Sequence, residues 1–595
     1  MNIFGKLEIL FFVSSLTTLI GLISILILFL LSRIPFLKKI EKILFGLAAI
    51  VPAAILSALI LILVDNFTYT IFRYGIVSTT GIWRVLYASL FLVLFVFTYR
   101  YTHLIINNLQ KKKHKKGYGW VFLLVIIVFI MTSIIVPYFR HGILTKAIPD
   151  WKENSPNDQL PNIIMITSDG LNAGHMSLYG YERDTTPFLR ELAGSSLVAE
   201  NAFTNSANTS GSIVSLLNSK YTTTTRVLYP PNILRAQDSY QHLPGILKTL
   251  GYYTVQMGFE VYVDAYNLNL LSGFDEVNGR SYLGSNYFDQ IKTYLPGESA
   301  YFFYETINRI FDRLRHIFFI HTMENAFEQV TMVSESFSDI EKLDKLFALL
   351  ETKDQPIFVH IHWMGTHGAK FYAVEQKFSG DKQKELQNDW DKDFYDDSIY
   401  EVDQIVKQIY EKLETEGKAK NSIIVIGSDH AQKYLTNVRV PIFFHFPNGE
   451  HAARIFLNAQ NIDIAPTLLD YLGQTIPDWM EGATLLEGLE NQRPIFAAGV
   501  GKATVEDGFT VVDSAALKPP FYQFGFFSII NCDRWYRLSV VDGISFQQAK
   551  IGFYNTVCKN PPMTDREVLQ LFVEHLRERA FDTSILEQWI EENIK

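Results

Sequence analysis

The apolar positions of this chain fall into two regimes. Within the first 140 residues they form four runs, over 9–31, 43–64, 85–106 and 120–138, each close to the roughly 20 residues that an α-helix needs to cross a bilayer. Beyond residue 160 the runs shorten and alternate with segments of helical spacing, as in a water-soluble domain. Short β-branched or aromatic runs at 162–167, 253–257, 356–362, 422–427 and 440–446 read as core strands. With helical segments between them, they predict an α/β domain whose mostly parallel sheet is covered by helices on both faces. The stretch 141–160 is polar and holds Pro149 and Pro156, which argue against a continuous helix, so it reads as a tether. Strands around 527–541 and helices over 564–594 predict an α+β close to the chain.

Charge orients this plan. The segment after the first apolar run carries Arg33, Lys38, Lys39 and Lys42, and the one after the third carries Lys111, Lys112, Lys113, Lys115 and Lys116. Short basic loops stay on the cytoplasmic side, so with four spans everything after Tyr138 is expected outside the cytoplasm, on a multi-pass anchor in the cytoplasmic (inner) membrane. The expected domains are 1–140 transmembrane, 141–160 linker, 161–490 catalytic and 491–595 a C-terminal subdomain. The net charge of −9 makes nucleic acid an unsuitable partner. Cys532 and Cys558 lie in no metal-ligating spacing and could be either a disulfide or two thiols. In 285–327, apolar residues recur at helical spacing with Arg309, Arg313 and Arg315 among them. That segment is either a helix packed on the domain or an interfacial helix facing lipid.

In open sheets of this kind ligands bind beyond the carboxyl ends of the strands, so polar residues there carry the candidate chemistry. The first strand runs into Ser168-Asp169-Gly170 and another into Gly427-Ser428-Asp429-His430. Each Asp alone reads equally as a turn or cap residue, but two carboxylates and an imidazole at one sheet edge suit a divalent cation such as zinc or manganese, with magnesium or calcium as alternatives. Between them, Asn205 to Ser212 forms a hydroxyl-rich segment leading into a helical pattern over 213–221. It reads either as a helix N-cap or as a hydroxyl nucleophile at a helix N-terminus, where backbone N–H groups favour an anion.

The run NIIMITSDGLNAGHMSLYGYERDTTP from Asn162 to Pro187 resembles the opening motif of sulfatase-like enzymes of the alkaline-phosphatase superfamily. So do Thr209-Ser210-Gly211-Ser212, Gly427 to His430, Val440-Pro441 and Asp463-Ile464-Ala465-Pro466-Thr467. Within that superfamily, His362-Trp363-Met364-Gly365-Thr366-His367-Gly368 and Tyr395-Asp396-Asp397-Ser398 are most similar to segments of membrane-anchored phosphoethanolamine transferases and lipoteichoic acid synthases. The resemblance implies metal ligands Asp169, Thr209, Asp429 and His430, with Thr209 as nucleophile and His367 on the transferred group or the leaving group. It also implies a membrane lipid or envelope glycan as substrate.

Two departures bear on the chemistry. Thr209 stands where formylglycine sulfatases need Cys or Ser, and Gly258-Phe259-Glu260-Val261 replaces their Gly-Lys-x-His element. Both favour phosphorus over sulfur. After His430 the chain reaches Val440 through a short loop whose one basic candidate is Lys433, which leaves open a catalytically weak, lipid-sensing role.

Overall fold

The computed structural model describes residues 46, 49–50, 53–61, 63–64, 82–111, 160–230, 232–259, 262–270, 273–281, 339–489, 493–501, 503–506, 509–512, 519–556, 558 and 561–594. The chain divides into two units, Met1–Pro149 with Gly284–Asn325, and Asp150–Leu283 with Ala326–Lys595.

In the first unit a 30-residue helix, α1 (Ile82–Lys111), packs on helical residues around 53–61. Small residues permit the close approach: the Ser57 and Thr98 hydroxyls are hydrogen-bonded at 2.7 Å, and Thr98 also donates to the Ala53 carbonyl at 3.1 Å. Leu61 is fully buried against Leu90, Phe91 and Leu94. Counted over the described residues alone, no helix is long and apolar enough to cross a membrane. The runs 9–31 and 120–138, and the segment 285–327, lie outside those residues.

The second unit is built on a nine-stranded sheet: β1 (Asn162–Ser168), β2 (Leu197–Phe203), β3 (Tyr253–Met257), β4 (Glu276–Val277), β5 (Arg280–Ser281), β6 (Ile357–Trp363), β7 (Ser422–Ser428), β8 (Val440–His445) and β9 (Ala453–Gln460). Their order across the sheet is β5-β4-β3-β6-β1-β7-β8-β2-β9. β3, β6, β1 and β7 are parallel neighbours; β8 is antiparallel to both β7 and β2; β2 is parallel to β9. The two reversals cancel, so β2 points the same way as β1. All five strands expected from sequence are present; β2 and β9, not read there, extend the sheet beyond β8.

Side chains alternate across the central strands and define two cores. Ile163, Met165, Phe358, Ile423 and Val425 face α3 (Thr209–Asn218), α4 (Leu243–Thr249) and α7 (Ile464–Tyr471). Ile164, Ile166, Val359, Ile361, Ile424 and Ile426 face α2 (Pro187–Leu192), α5 (Asp339–Thr352) and α6 (Lys392–Thr415). Strands apolar on both sides are what a sheet covered twice requires, which is why they stand out in sequence as uninterrupted runs. In α6, Ile399, Val402, Val406, Ile409 and Leu413 recur every three to four residues and form its buried stripe.

A four-stranded antiparallel sheet follows, in the order β10-β13-β14-β15: β10 (Ile495–Val500), β13 (Phe524–Asn531), β14 (Arg534–Ser539) and β15 (Ser545–Lys550). The hairpin β11 (Ala503–Glu506) and β12 (Phe509–Val512) lies between β10 and β13 in the chain. Phe527, Ile529, Tyr536 and Leu538 pack on α8 (Asp565–Glu578) and α9 (Ser584–Asn593). A Thr564/Glu567 capping box starts α8. Cys532 and Cys558 form a disulfide, their Cα atoms 6.0 Å apart.

Candidate active site

β1 and β7 run side by side in parallel, with Ser168 opposite Ser428, so the residues that follow them, Asp169 and Asp429, emerge as neighbours at one sheet edge. The Gly170 and His430 N–H groups donate to Asp429 Oδ1, at 3.0 and 2.8 Å. Three donors grip the Asp429 main-chain carbonyl: Thr204 Oγ1 and Ser212 Oγ at 2.5 Å and Asn461 Nδ2 at 3.1 Å. His430 Nδ1 faces the Ala431 carbonyl at 3.1 Å, which directs Nε2 into the site, 3.2 Å from Asp429 Oδ2 and 3.8 Å from Asp169 Oδ1.

Asp169 Oδ1 and Asp429 Oδ2 are buried and have no hydrogen-bond partner. An unpaired buried carboxylate oxygen is costly, and here two of them converge beside a lone-pair-bearing imidazole nitrogen. Ligand atoms of Asp169, Asp429 and His430 all lie within 4.8 Å of one another. Burial and the neighbouring Asp169 hold the Asp429 carboxyl above its ordinary range. Burial works the same way on Asp169, but His367, His362 and His430 outweigh it and hold that carboxyl well below the usual range. Two crowded acids and an imidazole fit a divalent cation, whose charge would relieve the repulsion.

β2 leads through a short loop to α3 and its first residue, Thr209, which is 8% exposed. Thr209 Oγ1 lies 3.3 Å from Asp169 Oδ2 and 3.3 Å from His430 Nε2. The loop is clamped by β10: Ala207 N–H donates to the Ala498 carbonyl at 2.9 Å, and Val500 N–H to Asn208 Oδ1 at 3.1 Å. That second bond diverts Asn208, the N-cap residue, from capping its own helix. Among the described residues, the Thr209 and Ser210 N–H groups meet no acceptor, so the start of α3 presents free donors beside the hydroxyl.

Asp169, Thr209, Asp429 and His430 are thus brought together. His367 follows β6 on a turn, half-buried, and is the foremost charge lowering the Asp169 pKa. Lys433 points elsewhere, exposed, its Nζ 5.7 Å from the Trp390 ring centre, while its neighbour Tyr434 packs on His430 with centroids 4.9 Å apart. Tyr395 and Asp396 brace the loop after Asp169. The Tyr395 hydroxyl donates to the Gly170 carbonyl at 2.7 Å, and Asp396 meets His175 at 2.8 Å and Arg183 at 2.9 Å.

Sequence reasoning gave no role to His362, whose Nε2 is 3.4 Å from Asp169 Oδ2, nor to Thr204, Ser212 and Asn461. For His362 there was a usable signal, a pair of histidines two positions apart in a buried strand that ends near the site; the other three are ordinary polar residues until the fold gathers them.

The sulfatase family model matches residues 161–474. The N-acetylgalactosamine-6-O-sulfatase of Bacteroides thetaiotaomicron is 40% identical over 70 residues, a stretch that is 12% of this chain and only 14% of that relative. A Bacteroides thetaiotaomicron structure solved in work on the metabolism of multiple glycosaminoglycans superposes with a TM-score of 0.50 at 16% identity, over 73% of this chain and all of that one. The phosphonate monoester hydrolase of Silicibacter pomeroyi gives a TM-score of 0.47 at 16% identity, over 70% of this chain and 95% of that one.

Proposed function

Because this chain belongs to the sulfatase family, and so among hydrolases of that fold, we propose that it is a membrane-anchored, extracytoplasmic, metal-dependent phosphotransferase or phosphodiesterase acting on a lipid or envelope glycan. The observation that carries the reading is the Thr209 hydroxyl, 3.3 Å from both Asp169 Oδ2 and His430 Nε2, with two unpaired carboxylate oxygens alongside.

Asp169, Asp429, His430 and the Thr209 oxygen would hold one divalent ion, zinc or manganese before magnesium or calcium. When bound, it would lower the hydroxyl pKa and offset charge on the reacting group. Thr209 Oγ1 would then attack phosphorus in line, its own proton passing to solvent: the Oγ1–P bond forms, the bond to the leaving alcohol breaks, and the leaving oxygen meets His367 and takes up a proton there. The free N–H groups of Thr209 and Ser210 receive phosphoryl oxygens. An acceptor alcohol or water attacks the phospho-threonine and regenerates the hydroxyl. Thr209 favours this chemistry over formylglycine sulfatase chemistry, since a secondary alcohol cannot become that aldehyde.

Supporting the anchor are the four apolar runs, the two basic loops, and Leu92, Val93, Phe97 and Leu104, exposed along α1. Supporting an outer location is the Cys532–Cys558 disulfide, a bond that persists in oxidising compartments. The test is incubation of the purified protein with a lipid extract, followed by mass spectrometry of the Thr209 peptide. A phosphoryl adduct is expected; no adduct, with unchanged turnover in Thr209→Ala, would end the mechanism.

The sulfatase match keeps a second reading in view, a sulfuric or phosphoric ester hydrolase in which water alone resolves the intermediate. Soluble aryl sulfates and aryl phosphodiesters, assayed beside lipid donors with and without an acceptor alcohol, separate the two.

A further inference from the structure

We propose that His362 is an orienting donor to Asp169 and not itself a metal ligand, and that its tautomer is set by a hydrogen-bonded chain running from Gln256 through His360 and Thr167. The inference rests on the reading of Asp169 as a metal ligand.

The direction of each bond follows from the one before. Gln256 Oε1 accepts the Ala265 N–H at 2.6 Å, which fixes the amide so that its NH₂ faces His360 Nδ1 at 3.2 Å. His360 Nδ1 is therefore an acceptor. His360 is fully buried, and that burial pushes its pKa down to about 3, so the ring is neutral and, with Nδ1 accepting, its one N–H sits on Nε2. That N–H meets Thr167 Oγ1 at 3.0 Å. The Thr167 hydroxyl has one proton, and His362 Nδ1 at 2.9 Å takes it in preference to the Ile361 carbonyl at 3.5 Å. With Nδ1 accepting, the ring proton of His362 sits on Nε2, which faces Asp169 Oδ2 at 3.4 Å.

The far end agrees with the near end. Run the other way, the chain would turn the Gln256 NH₂ against the Ala265 N–H and a His362 lone pair against a carboxylate. Every group in the chain is buried, so water cannot stand in for a misdirected partner. Lys342 Nζ fixes the strand end by donating to the His362 carbonyl at 2.7 Å. The result occupies Asp169 Oδ2 and leaves Oδ1, the unpaired oxygen, available to a cation. Gln256, His360 and Thr167 act as positioning residues spread over β3, β6 and β1.

The test is direct titration of chelator-stripped, purified full-length protein with Zn²⁺ or Mn²⁺ alone, in wild type, Thr167→Val, Thr167→Ser and Gln256→Glu. Valine keeps the shape of Thr167 and deletes its hydroxyl; glutamate offers His360 only acceptors and reverses the chain. Affinity is expected to fall about 10- to 100-fold in Thr167→Val and in Gln256→Glu, as for other outer-shell partners, and to return to within about threefold of wild type in Thr167→Ser. If Thr167→Val does not fold, Gln256→Glu and Thr167→Ser carry the comparison. Wild-type affinity in Gln256→Glu, or in a folded Thr167→Val, overturns the inference alone. A wild-type protein that binds no divalent ion overturns the reading of the site and the inference together.

Discussion

Thr209 can act as proposed only through its hydroxyl, so Thr209→Ala is expected to abolish the adduct and cut turnover on the order of 10³-fold or more, while Thr209→Ser keeps measurable activity. Steady-state rates on an aryl phosphodiester, with metal content measured in parallel, check this. Away from the site, Asp403 is buried at the start of α2, accepting the Phe188 and Leu189 N–H groups at 3.1 and 2.8 Å. Burial pushes its pKa up to about 6, above the ordinary value near 4. Protonated Asp403 therefore favours the folded state: its contribution is complete below about pH 4 and is lost as pH rises through 6. Thermal unfolding between pH 4 and 7 should show a slope worth roughly 2–3 kcal/mol that Asp403→Asn removes. At this scale the sequence shows Asp169, Thr209, Asp429 and His430, because chemistry-bearing residues at strand and helix ends stand out against apolar runs. It hides His362, Thr204, Ser212 and Asn461, whose roles exist only through contacts made across up to 225 positions of chain.

At the scale of elements, α3 is the piece on which the placement of Thr209 depends. Its position is set by close approach: Gly211 N–H donates to the Leu228 carbonyl at 3.1 Å, and a Cβ on Gly211 would lie 2.6 Å from Ser206 Oγ and 2.9 Å from the Val227 carbonyl. Gly211→Ala is expected to cost about 1–3 kcal/mol and to lower turnover by more than the lost folded fraction explains, because the helix start moves with its first residue. Denaturant unfolding and single-turnover rates measured together distinguish the two effects. The central strands were legible because burial on both faces makes them continuous apolar runs. β2 and β9 were not, because Glu200, Asn201, Arg454 and Asn458 interrupt their apolar runs.

At the scale of the whole chain, the disulfide closes a 26-residue separation in the C-terminal sheet region. Cys532→Ser is expected to lower stability by about 2–4 kcal/mol and to make the thermal midpoint insensitive to reductant, which calorimetry with and without dithiothreitol would show. The four apolar runs and the basic loops predict that the protein fractionates with membranes and that protease added from outside digests the C-terminal domain of intact cells or spheroplasts. Protection from that protease would contradict the orientation.

The place of β2 in the sheet has a consequence for when the site comes into being. β2 finds both its neighbours, β8 and β9, in chain roughly 240 to 260 residues downstream, so Thr209 stays unplaced while Asp169 waits for β7 and Asp429. Contacts of such long sequence separation form late and slowly. The ligand set is therefore a product of completed folding, and an ion held there would be loaded afterwards. If the domain lies outside the cytoplasm, such an ion would be chosen from those present there rather than from those where the chain is made.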